Sequence, residues 1–92
     1  MIQSFKCKYT EKLNNDEYVK AFGSVQVIAR KKLALLDVAV RLNDLMAAPG
    51  NRLEALKGDR KGQHSIRIND KWRICFVWKE DGPHNVEIVD YH

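Results

Sequence analysis

The chain has 92 residues, 45% of them hydrophobic and 30% charged, which excludes a disordered chain and predicts one small domain over residues 1–92. No run approaches the ~20 apolar residues that cross a bilayer, so a membrane-spanning helix is excluded. The N-terminus lacks the roughly 7–15-residue apolar stretch of a signal peptide, and we therefore expect a cytoplasmic protein.

Positive charge is concentrated in one quarter of the chain. The formal net charge is +4, and residues 52–73 contain seven basic and three acidic side chains, an excess of four. The basic residues are Arg52, Lys57, Arg60, Lys61, Arg67, Lys71 and Arg73. A mildly basic domain of this size is compatible with a nucleic acid or an acidic protein as its partner.

The two cysteines do not form a metal-binding pattern. Cys7 and Cys75 are far apart, and the chain has no CxxC motif and no Cys/His spacing typical of zinc ligands. Each is predicted to lie in a strand as a small buried thiol. The sequence therefore predicts no metal site and no cofactor.

The N-terminal half predicts one strand and two helices. Residues 2–8 favour a short strand, and Thr10 can cap a first helix. Gly23-Ser24 begins a longer second helix, which Pro49-Gly50 ends. Its predicted buried face consists of Ile28, Leu35, Ala39, Leu42 and Met46, widened by Val25, Ala29, Leu36 and Val40. The run of Arg30, Lys31 and Lys32 lies mostly outside that face, either as a solvated surface or against phosphate.

The C-terminal half predicts three strands. Residues 64–68 and 72–78 alternate in polarity and are joined by a short turn, and a turn at residues 79–85 leads into a last strand at 86–91. The order is β-α-α-β-β-β, which predicts an α+β fold in which two N-terminal helices pack on one face of a small antiparallel sheet. Trp72, Phe76 and Trp78 are then core residues rather than a platform on which bases stack.

A pair of arginines is predicted on the face of the sheet that the helices leave open. The short turn places Arg67 opposite Arg73, and like charges in this position are destabilising unless the face meets an anion. Phosphate fits, because guanidinium groups bind it in a bidentate way. The alternative is two arginines splayed into solvent without a role. The preceding segment from Lys57 to Gly62 carries three cations and two glycines, and is either a phosphate-binding loop without the P-loop pattern or a basic surface turn.

The last three residues, Asp90-Tyr91-His92, follow directly on the last predicted strand. A terminal strand would hold His92 and Tyr91 at a fixed depth, where both can transfer protons. Asp90 can fix this chain end through hydrogen bonds. The alternative is that a small domain simply stops here. Glu54, His64 and His84 are the other titratable groups of note, and His64 is expected to be partly buried beside Ile66.

These blocks together resemble the HigB toxins of the RelE/ParE superfamily, closest to the GraT-like branch. The blocks are the segment from Arg52 to Arg60 (RLEALKGDR), then Ser65-Ile66-Arg67, Trp72-Arg73 and the terminal Asp90-Tyr91-His92. The resemblance covers essentially the whole chain and implies a RelE-like fold and a ribosome-dependent endoribonuclease that cuts mRNA in the ribosomal A site. It also implies a HigA-like helix-turn-helix antitoxin as a partner. The toxin would contact operator DNA only through this antitoxin.

The resemblance implies site residues as well. The catalytic set would be His92, Tyr91, Arg73, Asp90 and Glu54, with Asp90 in a supporting role. Contacts to RNA phosphate would come from Lys57, Arg60, Lys61, Arg67 and Arg52. Glu54 departs from the best-known HigB pattern, which has a histidine treated as catalytic at this position. A carboxylate can act as a base, but it repels phosphate and can pair with an arginine. We therefore expect a weaker enzyme than the relatives that carry the histidine.

Two other functions fit parts of the sequence. One is a non-enzymatic toxin of the same fold that binds gyrase, as ParE does. The other is an RNA- or protein-binding module without chemistry. The basic segment and the Tyr91-His92 ending argue against gyrase binding, which needs neither.

Overall fold

The computed structural model describes residues 1–48 and 50–90, which form an α+β fold. Within these ranges lie the helices α1 (Lys8–Asn14), α2 (Gln26–Val38) and α3 (Leu42–Ala47) and the strands β1 (Glu54–Ala55), β2 (His64–Arg67), β3 (Trp72–Lys79) and β4 (Gly82–Asp90). Short 3-10 helices span Lys20–Val25 and Gly58–Arg60. The strands form one antiparallel sheet in the order β1-β2-β3-β4. The predicted fold class, a small antiparallel sheet with helices on one face, is confirmed.

The core lies between the helices and one face of the sheet. Leu13, Leu33, Leu36 and Leu45 from the helices and Ile66, Ile74, Phe76, Val86 and Ile88 from the sheet are all buried in one cluster. Trp72 and Trp78 pack against this cluster, and the Trp72 ring meets Phe22 edge-on at 5.7 Å between centroids. The aromatic stripe of β3 is therefore core, as its alternation predicted.

The first predicted strand is wrong. Residues 2–6 lie alongside β4 in space, but among them only Phe5 forms a β-bridge, which is parallel and joins it to Val86. The helix α1 begins at Lys8, two residues before the predicted cap. Thr10 lies inside that helix, fully buried, and its hydroxyl accepts a hydrogen bond from the Ile88 N–H at 3.0 Å. The hydroxyl that suggested a cap instead satisfies a backbone donor of the sheet.

The prediction of one long second helix is also wrong, because the helix is broken. The helix α2 ends at Val38, and Ala39 and Arg41 are extended. The Asp44 carboxylate accepts hydrogen bonds from the N–H groups of Arg41 (3.0 Å) and Val40 (2.9 Å), and so begins α3. These hydrogen bonds hold the pKa of Asp44 below its usual 3.8.

The buried side of these helices agrees with the predicted one only in part, since Val25, Ala29, Leu36 and Ala39 are buried as predicted. Ala29, Leu33 and Leu36 of α2 face the core, whereas Ile28, Leu35 and Met46 are exposed. Since α2 has apolar residues on two opposite sides, periodicity alone does not choose between them.

Two further differences concern the sheet. The strand β1 was not predicted, and β4 begins at Gly82, four residues early, so that the β3–β4 turn is much shorter than expected. Gly82 has a φ of +123°, and a Cβ there would lie 2.6 Å from the Met1 carbonyl oxygen, so both the turn and the chain path favour glycine. None of the described helices has the length and apolar character needed to cross a membrane.

Candidate active site on the open face of the sheet

The candidate site lies on the face of the sheet that the helices leave open. The register pairs Arg67 with Arg73, as predicted, and Ser65 with Cys75 on the same face. Cys75 in turn pairs with Glu87 of β4. Because side chains alternate along strands, the middle of the sheet presents one basic and polar surface opposite the core.

Arg73 is held tightly at the centre of this surface. Its Nε donates a 2.7 Å hydrogen bond to the Ser65 hydroxyl, and its Nη2 donates one of 2.7 Å to the Arg52 carbonyl oxygen. The Glu54 carboxylate lies 4.0 Å from Nη2, and the Arg73 side chain is only 11% exposed. A guanidinium held from several sides keeps its orientation, which is what binding of a developing negative charge requires.

Arg67 has its own acidic partner, since its guanidinium forms an ion pair with Asp70 in the β2–β3 turn. The predicted like-charge pair therefore exists, but its repulsion is reduced within the chain itself. Asp70 offsets the charge of Arg67, and Glu54 partly offsets that of Arg73. An external anion is not needed for the two arginines to coexist.

Arg60 ties the segment before β2 to the sheet. The 3-10 turn Gly58–Arg60 begins with Gly58 at a φ of +63°, and this turn directs Arg60 towards β4. Arg60 Nη1 donates to Glu87 at 2.7 Å and to the Gln63 side chain at 3.2 Å, and Lys6 lies 3.8 Å from Glu87. We refer to Arg60, Arg67 and Arg73 together as the arginine cluster.

Cys75 is buried next to these charges. Burial raises the pKa of its thiol, an effect that Arg60 opposes and Glu87 reinforces. The raised pKa makes Cys75 a poor nucleophile. Its predicted burial is confirmed, whereas Cys7 is partly exposed at the start of α1, not buried in a strand.

Three predicted cations border the arginine cluster. Arg52, Lys57 and Lys61 are exposed, and Arg52 contributes its carbonyl oxygen to Arg73. Lys57 and Lys61 flank the 3-10 turn that carries Arg60. These side chains extend the positive surface outwards, where a polyanion can contact them.

The predicted catalytic C-terminus lies only partly in the described ranges. In the register, Val89 of β4 pairs with Arg73, and Asp90 pairs with Trp72, so β4 remains paired with β3 up to Asp90. The Asp90 carboxylate lies 3.6 Å from Lys71 Nζ. Tyr91 and His92 lie outside the described residues.

Comparison with known proteins identifies the family. Residues 3–92 match the family model of RelE-like toxins of type II toxin–antitoxin systems, HigB. The chain is 38% identical to Toxin HigB-1 of Vibrio cholerae over 80 residues, which cover 85% of this chain and 84% of the relative. It is 33% identical to Endoribonuclease HigB of Proteus vulgaris over the whole of both chains.

The chain belongs to the HigB-like family of RelE-like toxins. Membership of a type II toxin–antitoxin family implies an antitoxin as a protein partner. The resemblance drawn from the sequence blocks is thus confirmed at the level of the family. The roles of individual residues remain predictions.

Sequence reasoning missed three residues of this HigB-like site, Ser65, Glu87 and Asn51. The first two follow from the register, because pairing Arg67 with Arg73 also pairs Ser65 with Cys75 on the open face, and Cys75 in turn pairs with Glu87. Asn51 had no local signal. It is fully buried, its amide donates to the Leu45 carbonyl oxygen at 3.1 Å, and its own carbonyl accepts the Arg67 N–H at 2.6 Å.

Asn51 also joins the helix layer to the arginine cluster. Lys32 of α2 donates a hydrogen bond to the Asn51 side chain. Burial lowers the pKa of Lys32, and the positive charge of Arg67 lowers it further. Asn51 therefore connects three elements, α2, α3 and β2. It directly precedes Arg52 in sequence, whose carbonyl oxygen accepts a hydrogen bond from Arg73.

The two other histidines lie outside the arginine cluster. The partly buried ring of His64 stacks on Phe76 at 6.3 Å, on the core side, which confirms its predicted burial. His84 lies at the β3–β4 turn, 2.6 Å from Asp81, and this hydrogen bond lowers the pKa of Asp81.

Proposed function

We propose that this toxin is an endoribonuclease that cleaves mRNA on the ribosome by means of the RNA's own 2′-hydroxyl. The observation that carries the proposal is the immobilised guanidinium of Arg73 within a basic surface. A relative that aligns along its full length bears the name Endoribonuclease HigB, which supports the same reaction class.

The reaction requires charge neutralisation at phosphorus. Attack of the 2′-oxygen on the adjacent phosphate forms a pentavalent species with an additional negative charge, and the bond to the 5′-oxygen then breaks. In the proposal, Arg73 binds a non-bridging oxygen and stabilises this charge, because its orientation is already set by Ser65 and Arg52. The products are a 2′,3′-cyclic phosphate and a 5′-hydroxyl.

Two proton transfers complete the proposed reaction. A base takes the proton of the 2′-hydroxyl, and an acid gives one to the leaving 5′-oxygen. We assign these transfers to His92 and Tyr91, with Asp90 as their support. Glu54 is a second candidate base, and its position 4.0 Å from Arg73 also lets it weaken the positive charge that phosphate would meet.

Binding of RNA is assigned to the surrounding cations. Arg52, Lys57 and Lys61 are exposed, so we propose that they contact the phosphates that flank the cleaved one. Arg67 and Arg60 would contribute from their ion-paired positions. The ribosome would orient the mRNA, which accounts for a small catalytic set.

The proposed partners follow from this activity. The antitoxin would be a HigA-like helix-turn-helix protein that binds operator DNA. The toxin would contact that DNA only through the antitoxin. Because mRNA on the ribosome would be the substrate, we propose that the toxin acts in the cytoplasm. The proposed steps use side chains alone, with neither metal nor cofactor.

The test is cleavage of a defined mRNA by purified toxin with and without translating ribosomes. We expect cuts in the reading frame that require ribosomes and leave 5′-hydroxyl ends. Arg73→Ala and His92→Ala should strongly reduce the cuts, whereas Lys79→Ala, at an exposed lysine outside the cluster, should leave them unchanged. Growth inhibition without RNA cleavage, as a gyrase-binding toxin would show, would overturn the proposal.

A further inference from the structure

The outward side of α2 carries an apolar surface that no described part of the chain covers. Val27, Ile28, Leu35 and Val38 are 60%, 45%, 42% and 72% exposed. Their spacing places them along one side of the helix, opposite the buried Ala29, Leu33 and Leu36. We call these four residues the outer stripe of α2.

The outer stripe is unusual for a solvated helix face. Single exposed apolar residues are normal, but a row of aliphatic side chains along one helix is typical of a protein-binding surface. The stripe is not needed for the core, which the opposite side of α2 already completes. The fold alone therefore does not account for it.

Charge restricts what can cover the stripe. Lys31 lies within it, near the middle of this 13-residue helix, with Arg30 and Lys32 adjacent. Two copies of the chain packed stripe to stripe would bring their Lys31 ammonium groups together, and each copy already carries a net charge of +4. Pairing of like charges at an interface is costly, so a second copy is disfavoured.

We infer that the outer stripe of α2 is the surface on which the antitoxin docks. The inference rests on membership of the toxin family, which implies an antitoxin, and not on the proposed nuclease activity. The partner would present aliphatic side chains to the four residues and a carboxylate to Lys31. The stripe lies on the helix layer, and the arginine cluster lies on the other face of the sheet.

The test is calorimetric titration of the toxin, separated from its antitoxin, with the antitoxin encoded beside it. Val38→Glu places a carboxylate in the apolar contact and should raise Kd by roughly 30-fold or more, the size expected at the centre of an interface. Leu35→Ala should raise Kd by about tenfold. Lys31→Glu should weaken binding, whereas Lys31→Arg should preserve it.

Matched controls separate docking from folding and from catalysis. Lys79→Glu makes the same charge reversal at an exposed site on β3 and should leave Kd unchanged. Arg73→Ala should also leave Kd unchanged. Because binding is measured without RNA, failure of the nuclease proposal would not affect this result. Circular dichroism checks that each variant is folded.

Three outcomes would overturn the inference. One is an unchanged Kd for both Val38→Glu and Lys31→Glu. Another is a wild-type dimer, seen by sedimentation, that Val38→Glu turns into a monomer while its affinity for antitoxin persists. The third is binding to phosphatidylglycerol vesicles that Val38→Glu abolishes without weakening the antitoxin complex.

Discussion

The Nε of Arg73 donates a 2.7 Å hydrogen bond to the Ser65 hydroxyl on the neighbouring strand. Together with the Arg52 carbonyl oxygen, this hydroxyl sets the plane of the guanidinium. The two residues therefore have different roles, because Arg73 carries the positive charge and Ser65 helps to fix the orientation of its guanidinium group.

Loss of Arg73 should reduce RNA cleavage strongly. We expect Arg73→Ala to lower the single-turnover rate by roughly 10²–10³-fold, the loss typical of removing one donor to a developing oxyanion. Arg73→Lys should recover little, because an ammonium group cannot make the same fork of hydrogen bonds. Ser65→Ala should show a smaller loss with the toxin still folded. Equal rates for wild type and Arg73→Ala would remove this residue from the mechanism.

Replacement of Glu54 by histidine should make the toxin faster. The Glu54 carboxylate lies 4.0 Å from Arg73 and opposes phosphate binding, whereas a neutral imidazole removes that negative charge and can still act as a base. Cleavage on ribosomes should therefore be faster for Glu54→His than for wild type. Glu54→Gln is the matched control, since it removes the charge without supplying a base. No gain with Glu54→His would count against a weakening role of the carboxylate.

Removal of the Asn51 side chain should destabilise the fold. Asn51→Ala leaves the Leu45 carbonyl oxygen and the Lys32 ammonium group without this partner at a fully buried position. We expect a loss of about 1–3 kcal/mol in the free energy of unfolding, measured by urea denaturation. The control Asn43→Ala, at an exposed position of α3, should stay within about 0.5 kcal/mol of wild type. Equal midpoints for the two variants would show that Asn51 is not a structural link.

Asp44 should make stability depend on pH in the acidic range. Its folded-state pKa is lowered by hydrogen bonds from Arg41 and Val40, so the ionised form stabilises the fold above the usual pKa of 3.8. This contribution is lost as the pH falls through the lower folded-state value. Asp44→Asn keeps an acceptor oxygen but no charge. Its Tm should lie below that of wild type at pH 7, and the two values should converge in acid. A constant difference in Tm across this range would contradict the assignment.

The sequence by itself determined the features that depend on strict alternation. In β3, the period of two residues placed Trp72, Ile74 and Phe76 towards the core and Arg73 on the opposite face. The short turn before β3 then paired Arg67 with Arg73. Shifting a strand by one residue would exchange its two faces, so only one register buries the aromatic side chains. The same blocks of sequence were sufficient to identify the family.

Only the tertiary structure decided which side of α2 is buried and where the second helix breaks. The helix α2 has aliphatic residues on both sides, so its period is compatible with either orientation, and the sheet selects Leu33 and Leu36. The break depends on Asp44 accepting backbone hydrogen bonds. Arg73, likewise, is oriented by the carbonyl oxygen of Arg52, 21 residues away in sequence. Every residue offers such a carbonyl, and only the path of the folded chain determines which one is within reach.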